Sequence, residues 1–213
     1  MNTPSIPKQI VDAIDNGDCE AIRALITEHP EQKDFFTPFG SATWLGYAAG
    51  YGSLRTVELL IDLGFDVNKG DKYDDRKPIS NAASKGRSDV VAYLLSQGAV
   101  LDTSLSVRNP LFAAISGGTA EAVSGVSPEV VKLLLEAGID SKVRYNSKTM
   151  KNMDALAFAR MWGKMECARM IALWNANGDE ALAKEAMVEA ERIAYANTEP
   201  VSEEDKYYGV RES

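Results

Sequence analysis

The sequence is short of the residues that most catalytic and metal centres use. It has one histidine, His29, and two cysteines, Cys19 and Cys167. A single histidine excludes a His-x-x-x-His zinc pair and leaves little for imidazole acid–base chemistry. Neither cysteine has a ligand partner nearby, which points to a reduced cytoplasmic chain rather than a disulfide scaffold. Long apolar runs are also missing: no stretch approaches the roughly 18 unbroken apolar residues of a membrane span. The opening residues, MNTPSIPKQI, lack a basic region followed by an apolar run, so no secretory leader is expected. Phosphate-binding glycine motifs of the P-loop and dinucleotide types are absent as well.

What is present suits a globular chain. Of 213 residues, 45% are hydrophobic and 25% charged, enough to bury a core. The net charge of −8 is unevenly spread. Residues 1–37 carry seven acids against three bases, and residues 176–213 carry ten acids against four. The middle, 38–175, holds 14 acids and 16 bases. Acidic ends around a near-neutral body argue against nucleic-acid binding.

An internal repeat organises the chain. Gly52 is followed twelve residues later by Gly64, and Gly86 by Gly98. Gly118 leads to Gly138 with eight extra residues, near Thr119–Val126; Gly17 leads to His29 and Gly163 to Asn175. Each interval holds an apolar helical stripe, such as Val90, Val91, Leu94 and Leu95. The closing residue suits a left-handed helix stop, with His29 and Asn175 taking that slot in the end units. Ahead of each first glycine lies a shorter helix rich in small residues, opened by Thr43, Lys77-Pro78, Asn109-Pro110 or Asp154. The helical glycine pairs recur at a step of 34 residues.

This pattern resembles the ankyrin repeat, from about residue 8 to 175. The resemblance is carried best by Thr43-Trp-Leu-Gly-Tyr-Ala-Ala-Gly-Tyr-Gly52 and Lys77-Pro-Ile-Ser-Asn-Ala-Ala-Ser-Lys-Gly86, each running on to a Leu-Leu helix. The family's Thr-Pro-Leu-His histidine is replaced by Gly46, Ser80, Phe112 and Ala157, which puts its hydrogen bonds in question. The expected fold is an all-α ankyrin-repeat solenoid. Residues 1–37 form an N-terminal capping half-repeat, 38–175 four repeats, 176–197 a C-terminal capping helix with Leu182, Ala186, Ala190 and Ile193 turned inward, and 198–213 an acidic, disordered tail.

Chemistry has few footholds. Gly117-Gly118 reads as an inter-helix turn rather than a phosphate cradle. Asp71, Asp74 and Asp75 lack calcium-loop spacing and read as a turn tip. His29 reads as a helix-end residue, Cys19 as a half-buried residue at a helix start, and Cys167 as core. No catalytic residue, cofactor, metal or small-molecule substrate is expected, and no enzyme activity.

The resemblance implies binding to another protein through turn tips and the concave side of the short helices. Carried over by position, those slots include Phe39, Tyr51, Tyr73, Asp74, Arg76, Lys85, Arg108, Lys151, Met161 and Trp162. Tyr, Trp and Arg are the types that dominate binding hot spots. Ten bases also fall in or beside the turns: Lys69, Lys72, Arg76, Lys77, Lys85, Arg108, Lys142, Arg144, Lys148 and Lys151. They predict a basic edge that steers acidic partners. Phe35, Phe36 and Phe39 either pack over the N-terminal cap or form an apolar patch. Small stand-alone ankyrin proteins of bacterial type include immunity proteins that block a toxin, so a cognate toxin is one expected partner; an adaptor linking host-cell proteins is the alternative. The chain is expected to be a monomer.

Overall fold

The computed structural model describes residues 4–38, 40–117, 127–147 and 150–197. Helix pairs follow one another along the chain. They are α1 (Ile6–Asn16) with α2 (Cys19–Glu28), α3 (Trp44–Tyr51) with α4 (Leu54–Asp62), α5 (Pro78–Ser84) with α6 (Ser88–Ser96), α7 (Pro110–Ser116) with α8 (Pro128–Glu136), and α9 (Ala155–Met161) with α10 (Met165–Asn175). A final helix, α11 (Glu180–Ala196), follows. A 3-10 turn, Pro30–Asp34, links the first pair to the second. Among the described residues there is no strand, only two isolated antiparallel bridges, Phe36 with Thr43 and Tyr145 with Met153.

Most helix starts have a capping side chain or a first-turn proline; α6 and α10, which follow Arg87 and Lys164, have neither. Asp18, Thr43, Ser53, Asn109, Ser127, Asp154 and Asp179 accept a backbone N–H of the first turn, satisfying donors that the helix cannot pair. Pro78, Pro110 and Pro128 occupy first turns, where the missing N–H costs nothing. The stops follow the glycines in part. Gly17, Gly64, Gly86, Gly98, Gly138 and Gly163 all have positive φ. His29 does not: its φ is −124°, and the chain runs on into the 3-10 turn. Asn175 is still helical, and the left-handed residues are Asn177 and Gly178 beyond it.

The short helices α3, α5, α7 and α9 stack as one layer, and α4, α6, α8 and α10 as a second. The core runs between the layers as one cluster, from Ile10 and Ile14 through Trp44, Leu60, Ile79 and Leu94 to Leu134, Ala159 and Ile171. Alanines at 48, 49, 82, 83, 114, 157 and 159 are fully buried or nearly so and let neighbouring units approach closely. Buried Trp44 donates its indole N–H to the Gln32 carbonyl at 2.9 Å, tying the 3-10 turn to the stack.

Helix α11 packs across both α9 and α10, covering the end of the stack. Its inward face is Ala183, Ala190 and Ala194, with Ala186, Met187 and Ile193 half-covered. Leu182, expected inside, is 54% exposed. Small residues, rather than the most hydrophobic one, set the contact line because α11 must lie close to α9.

Two glycines separate backbone strain from crowding. Gly98 has φ +83° and nothing near a built Cβ. A Cβ on buried Gly70 would fall 2.5 Å from the Asp75 carbonyl carbon. In urea unfolding, Gly98→Ala is expected to lose about 1 kcal/mol from the left-handed conformation alone. Gly70→Ala is expected to lose more, roughly 2 kcal/mol or above, because the turn that brings Asp75 against it must move.

Candidate binding face

The face that the resemblance makes concave is built by the α3, α5, α7 and α9 layer and the turns that precede it. At the four slots where the ankyrin pattern has histidine, Ala157 is simply buried and the other three make separate contacts. Gly46 leaves room for the Asn81 side chain: a Cβ there would stand 2.9 Å from its nitrogen. Ser80, fully buried, donates its hydroxyl to the Arg108 carbonyl at 2.8 Å. Phe112 packs edge-on against Phe158, ring centres 4.4 Å apart, and against Tyr145 at 5.0 Å. Tyr145 in turn donates its hydroxyl to the Thr103 carbonyl at 2.6 Å and accepts from Asn109 at 3.0 Å.

Two aromatic patches result. In the first, Tyr47 and Tyr51 lie one helical turn apart with ring centres separated by 5.1 Å. The Lys85 ammonium sits over the Tyr51 ring at 4.6 Å, a cation–π contact. The Tyr47 hydroxyl donates to Asp15 at 2.8 Å. Burial, followed by that hydrogen bond and the charge of Asp15, pushes the Tyr47 pKa up to about 12. In the second patch, Phe112, Phe158 and Trp162 form an edge-to-face series, with Phe158 and Trp162 centred 6.1 Å apart.

The sequence-predicted residues divide into groups. Tyr51, Tyr73 and Trp162 are 60%, 63% and 51% exposed and stand ready for contact. Met161 is half-buried against the core. Lys151 is exposed, and its backbone is held at both ends by Asn197, through bonds of 2.7 and 3.1 Å. Arg108 is spent internally: its Nε donates to the Asp74 carbonyl at 2.6 Å, and its Nη1 lies 4.0 Å from Asp102. Asp74 is thereby fixed as part of the turn, its own N–H donating to Asp71. Arg76 is partly buried, with one long bond from Nη2 to the Ser80 carbonyl at 3.4 Å. Phe39 lies outside the described residues, as do Lys148 and the Thr119–Val126 insertion. Tyr47 was missed; its signal was an aromatic residue one turn before Tyr51 on a short helix, whereas Phe112 and Phe158 are core.

The turn edge is less basic than its lysine and arginine count suggests. Lys77 pairs with Asp75 at 2.9 Å, Lys69 with Asp34 at 3.6 Å, and Arg144 with Asp154 at 3.4 Å. These acids come from the turns themselves or from the neighbouring unit, so much of the expected field is cancelled locally. Phe35 is 51% exposed, whereas Phe36 is half-covered with the Lys69 ammonium 5.8 Å from its ring centre.

The other candidate chemistry reduces to structure. Asp71 accepts the N–H groups of Tyr73 and Asp74, closing a turn. Among the described residues no cluster of His, Cys, Asp and Glu could hold a metal ion. Cys167 is 1% exposed, and burial raises its thiol pKa. His29 lies 3.5 Å from Glu31. On the opposite surface, an open groove of about 880 Å³ runs between α8 and α10, with Met170, Leu173 and Trp174 along it. No helix among the described residues is long and apolar enough to cross a membrane.

Tyr47 generates a pH test. Its folded pKa lies above its unfolded value of 10.0, so the protonated hydroxyl favours the folded state. That contribution is complete below pH 10 and is lost as pH rises toward 12. Tyr47→Phe is expected to be less stable at neutral pH and to show a shallower alkaline loss, followed by urea midpoint across that range.

Known proteins place this architecture. Residues 10–105 match the family model for ankyrin repeats (3 copies). The E3 ubiquitin-protein ligase hecd-1 of Caenorhabditis elegans is 35% identical over 94 residues, which is 44% of this chain and 3% of that protein. The E3 ubiquitin-protein ligase Ufd4 of Drosophila melanogaster is 34% identical over 101 residues, 47% of this chain and 4% of that one. A protein of Rickettsia felis named for its ankyrin repeat is 28% identical over 111 residues, 52% of this chain and 25% of its own length. The chain thus spans a quarter or less of each of these relatives. Residues 10–105 carry ankyrin repeats, set in an all-α repeat solenoid.

Proposed function

We propose that this chain is a non-catalytic module that binds another protein through its turn tips and concave helix face. The observation that carries the reading is the exposure of Tyr51, Tyr73 and Trp162 along that face. Large aromatics left open to water on a rigid scaffold supply contact area at low entropic cost, and they concentrate binding energy when covered. The ankyrin repeats matched over residues 10–105 support the same reading. The toxin-neutralising and adaptor readings both use this surface. They differ in what it holds: one small toxin at one-to-one stoichiometry, or several larger proteins.

A tagged pull-down from the native source, read by mass spectrometry, separates the two. A single abundant small partner whose gene adjoins this one identifies a neutraliser; several larger partners identify an adaptor. With any partner in hand, Tyr51→Ala and Trp162→Ala are each expected to weaken binding by about 2 kcal/mol, roughly thirtyfold. Both side chains are more than half exposed and each makes one aromatic contact, so unfolding stability should change by about 1 kcal/mol or less. Unchanged affinity in both variants overturns the concave-face assignment.

A further inference from the structure

Asn197 fixes the point at which the rest of the chain leaves the solenoid. Its side-chain oxygen accepts the Lys151 N–H at 2.7 Å, and its side-chain nitrogen donates to the Lys151 carbonyl at 3.1 Å and the Ile193 carbonyl at 2.9 Å. The Arg160–Glu191 pair, at 2.7 Å, fastens the same end of α11 to α9. Residues 198–213, outside the described residues, therefore set out from the turn that leads into α9. Helix α9 rises about 10 Å, and Trp162, 51% exposed, directly follows it. The 16 residues carry five acids against two bases, with Glu203-Glu204-Asp205 just ahead of Tyr207-Tyr208. Tyr207 lies ten residues beyond Asn197, and a chain that long spans up to about 33 Å, so it reaches Trp162 with slack.

Charge gives the direction. The outer side of α11 exposes Glu180, Glu185, Glu189 and Glu191 and repels an acidic segment. Around α9, Lys142 and Lys151 are exposed and Lys164 half-buried two residues beyond Trp162. None of the three has a carboxylate within ion-pair distance among the described residues, whereas Arg144 and Arg160 each have one. The groove between α8 and α10 is the rival seat. It lies by Gly178, at the opposite end of α11, about 25 Å of helix away. Its rim is balanced, with Lys132 paired to Glu136 at 3.7 Å and Arg169 matched by Glu166.

We infer that residues 198–213 fold back over the C-terminal end of the binding face and cover Trp162. The Tyr207-Tyr208 pair lies against the indole, and the acids at 203–205 lie among Lys142, Lys151 and Lys164. The segment is tethered at Asn197, so even a weak contact is held at high effective concentration. It occupies the seat that a partner needs, and a partner binds by displacing it. The inference rests on the concave-face reading above and adds a competitor built into the chain.

The test is nuclear magnetic resonance of the full chain labelled with nitrogen-15. Trp44, Trp162 and Trp174 give three indole N–H signals, and Trp162→Phe identifies the one from Trp162. Two variants are compared with the unaltered chain: Tyr207→Ala with Tyr208→Ala, and Glu203→Gln and Glu204→Gln with Asp205→Asn. Both are expected to shift the Trp162 signal and to leave those of Trp174 and buried Trp44 in place, Trp44 reporting an intact core. Should one variant disturb Trp44, the other decides. A Trp162 signal that stays put in a variant with Trp44 undisturbed overturns the inference. So does a shift of Trp174 alone, which places the segment in the outer groove. The concave-face reading is judged separately, by partner affinity in Tyr51→Ala and Trp162→Ala. An unmoved Trp162 signal with that affinity lost sinks the covering segment alone. A shifted signal with affinity intact in both variants sinks the binding face and the competition, while the contact itself stands.

Discussion

No unit of this chain can satisfy its own backbone, and that constraint holds the rest together. Between successive helix pairs the turns leave carbonyl and N–H groups that local structure cannot pair. Side chains about one repeat away reach across to them. Asn68 donates to the Gly98 carbonyl and accepts the Val100 N–H. Arg87 donates to the Gly52 carbonyl at 2.6 Å. Arg108 reaches the Asp74 carbonyl, and Ser80 the Arg108 carbonyl. At the fourth junction the link is between side chains, Ser141 donating to the Asn175 side-chain oxygen at 2.6 Å. A buried polar group left unpaired costs more than a made bond gains. Each unit is therefore stable only where its neighbour stands, as expected of a quasi-one-dimensional stack.

The same constraint explains why the proposed binding face is sparse. Residues such as Arg108 and Asp74, which look like contact residues on composition, are used to fasten the turns. What remains for a partner is a spaced set of aromatic rings with Lys85 and Arg76 among them. Tyr51 ends the short helix α3 and Trp162 directly follows α9, so their positions follow the repeat, whereas Tyr73 stands on the turn between α4 and α5.

Much of the fold was legible because it rests on local rules. Turn glycines at a 34-residue step, apolar stripes and capping side chains each act within a few residues, and together they mark the helix pairs. What escaped were facts decided by partners far along the chain. Pairing of Lys69 with Asp34 across 35 positions of sequence cannot be seen from a tally of charged residues. The face of α11 followed the need for close approach, which favours Ala183 over the more hydrophobic Leu182. The exposed rings Tyr51, Tyr73 and Trp162 were legible from repeat position. The orientation of the Arg76 guanidinium was not, because it depends on where the α5 backbone places the Ser80 carbonyl.

Phe112 gives the stack an asymmetry of a different kind. At the junction between the α5–α6 and α7–α8 pairs, the histidine-slot residue Ser80 makes a hydrogen bond. One junction further on, the slot holds Phe112, locked between Phe158 and Tyr145. Apolar contacts lose strength on cooling. The slot contact at that junction therefore weakens on chilling where the Ser80 hydrogen bond does not, and the two slots respond to temperature with different sensitivity.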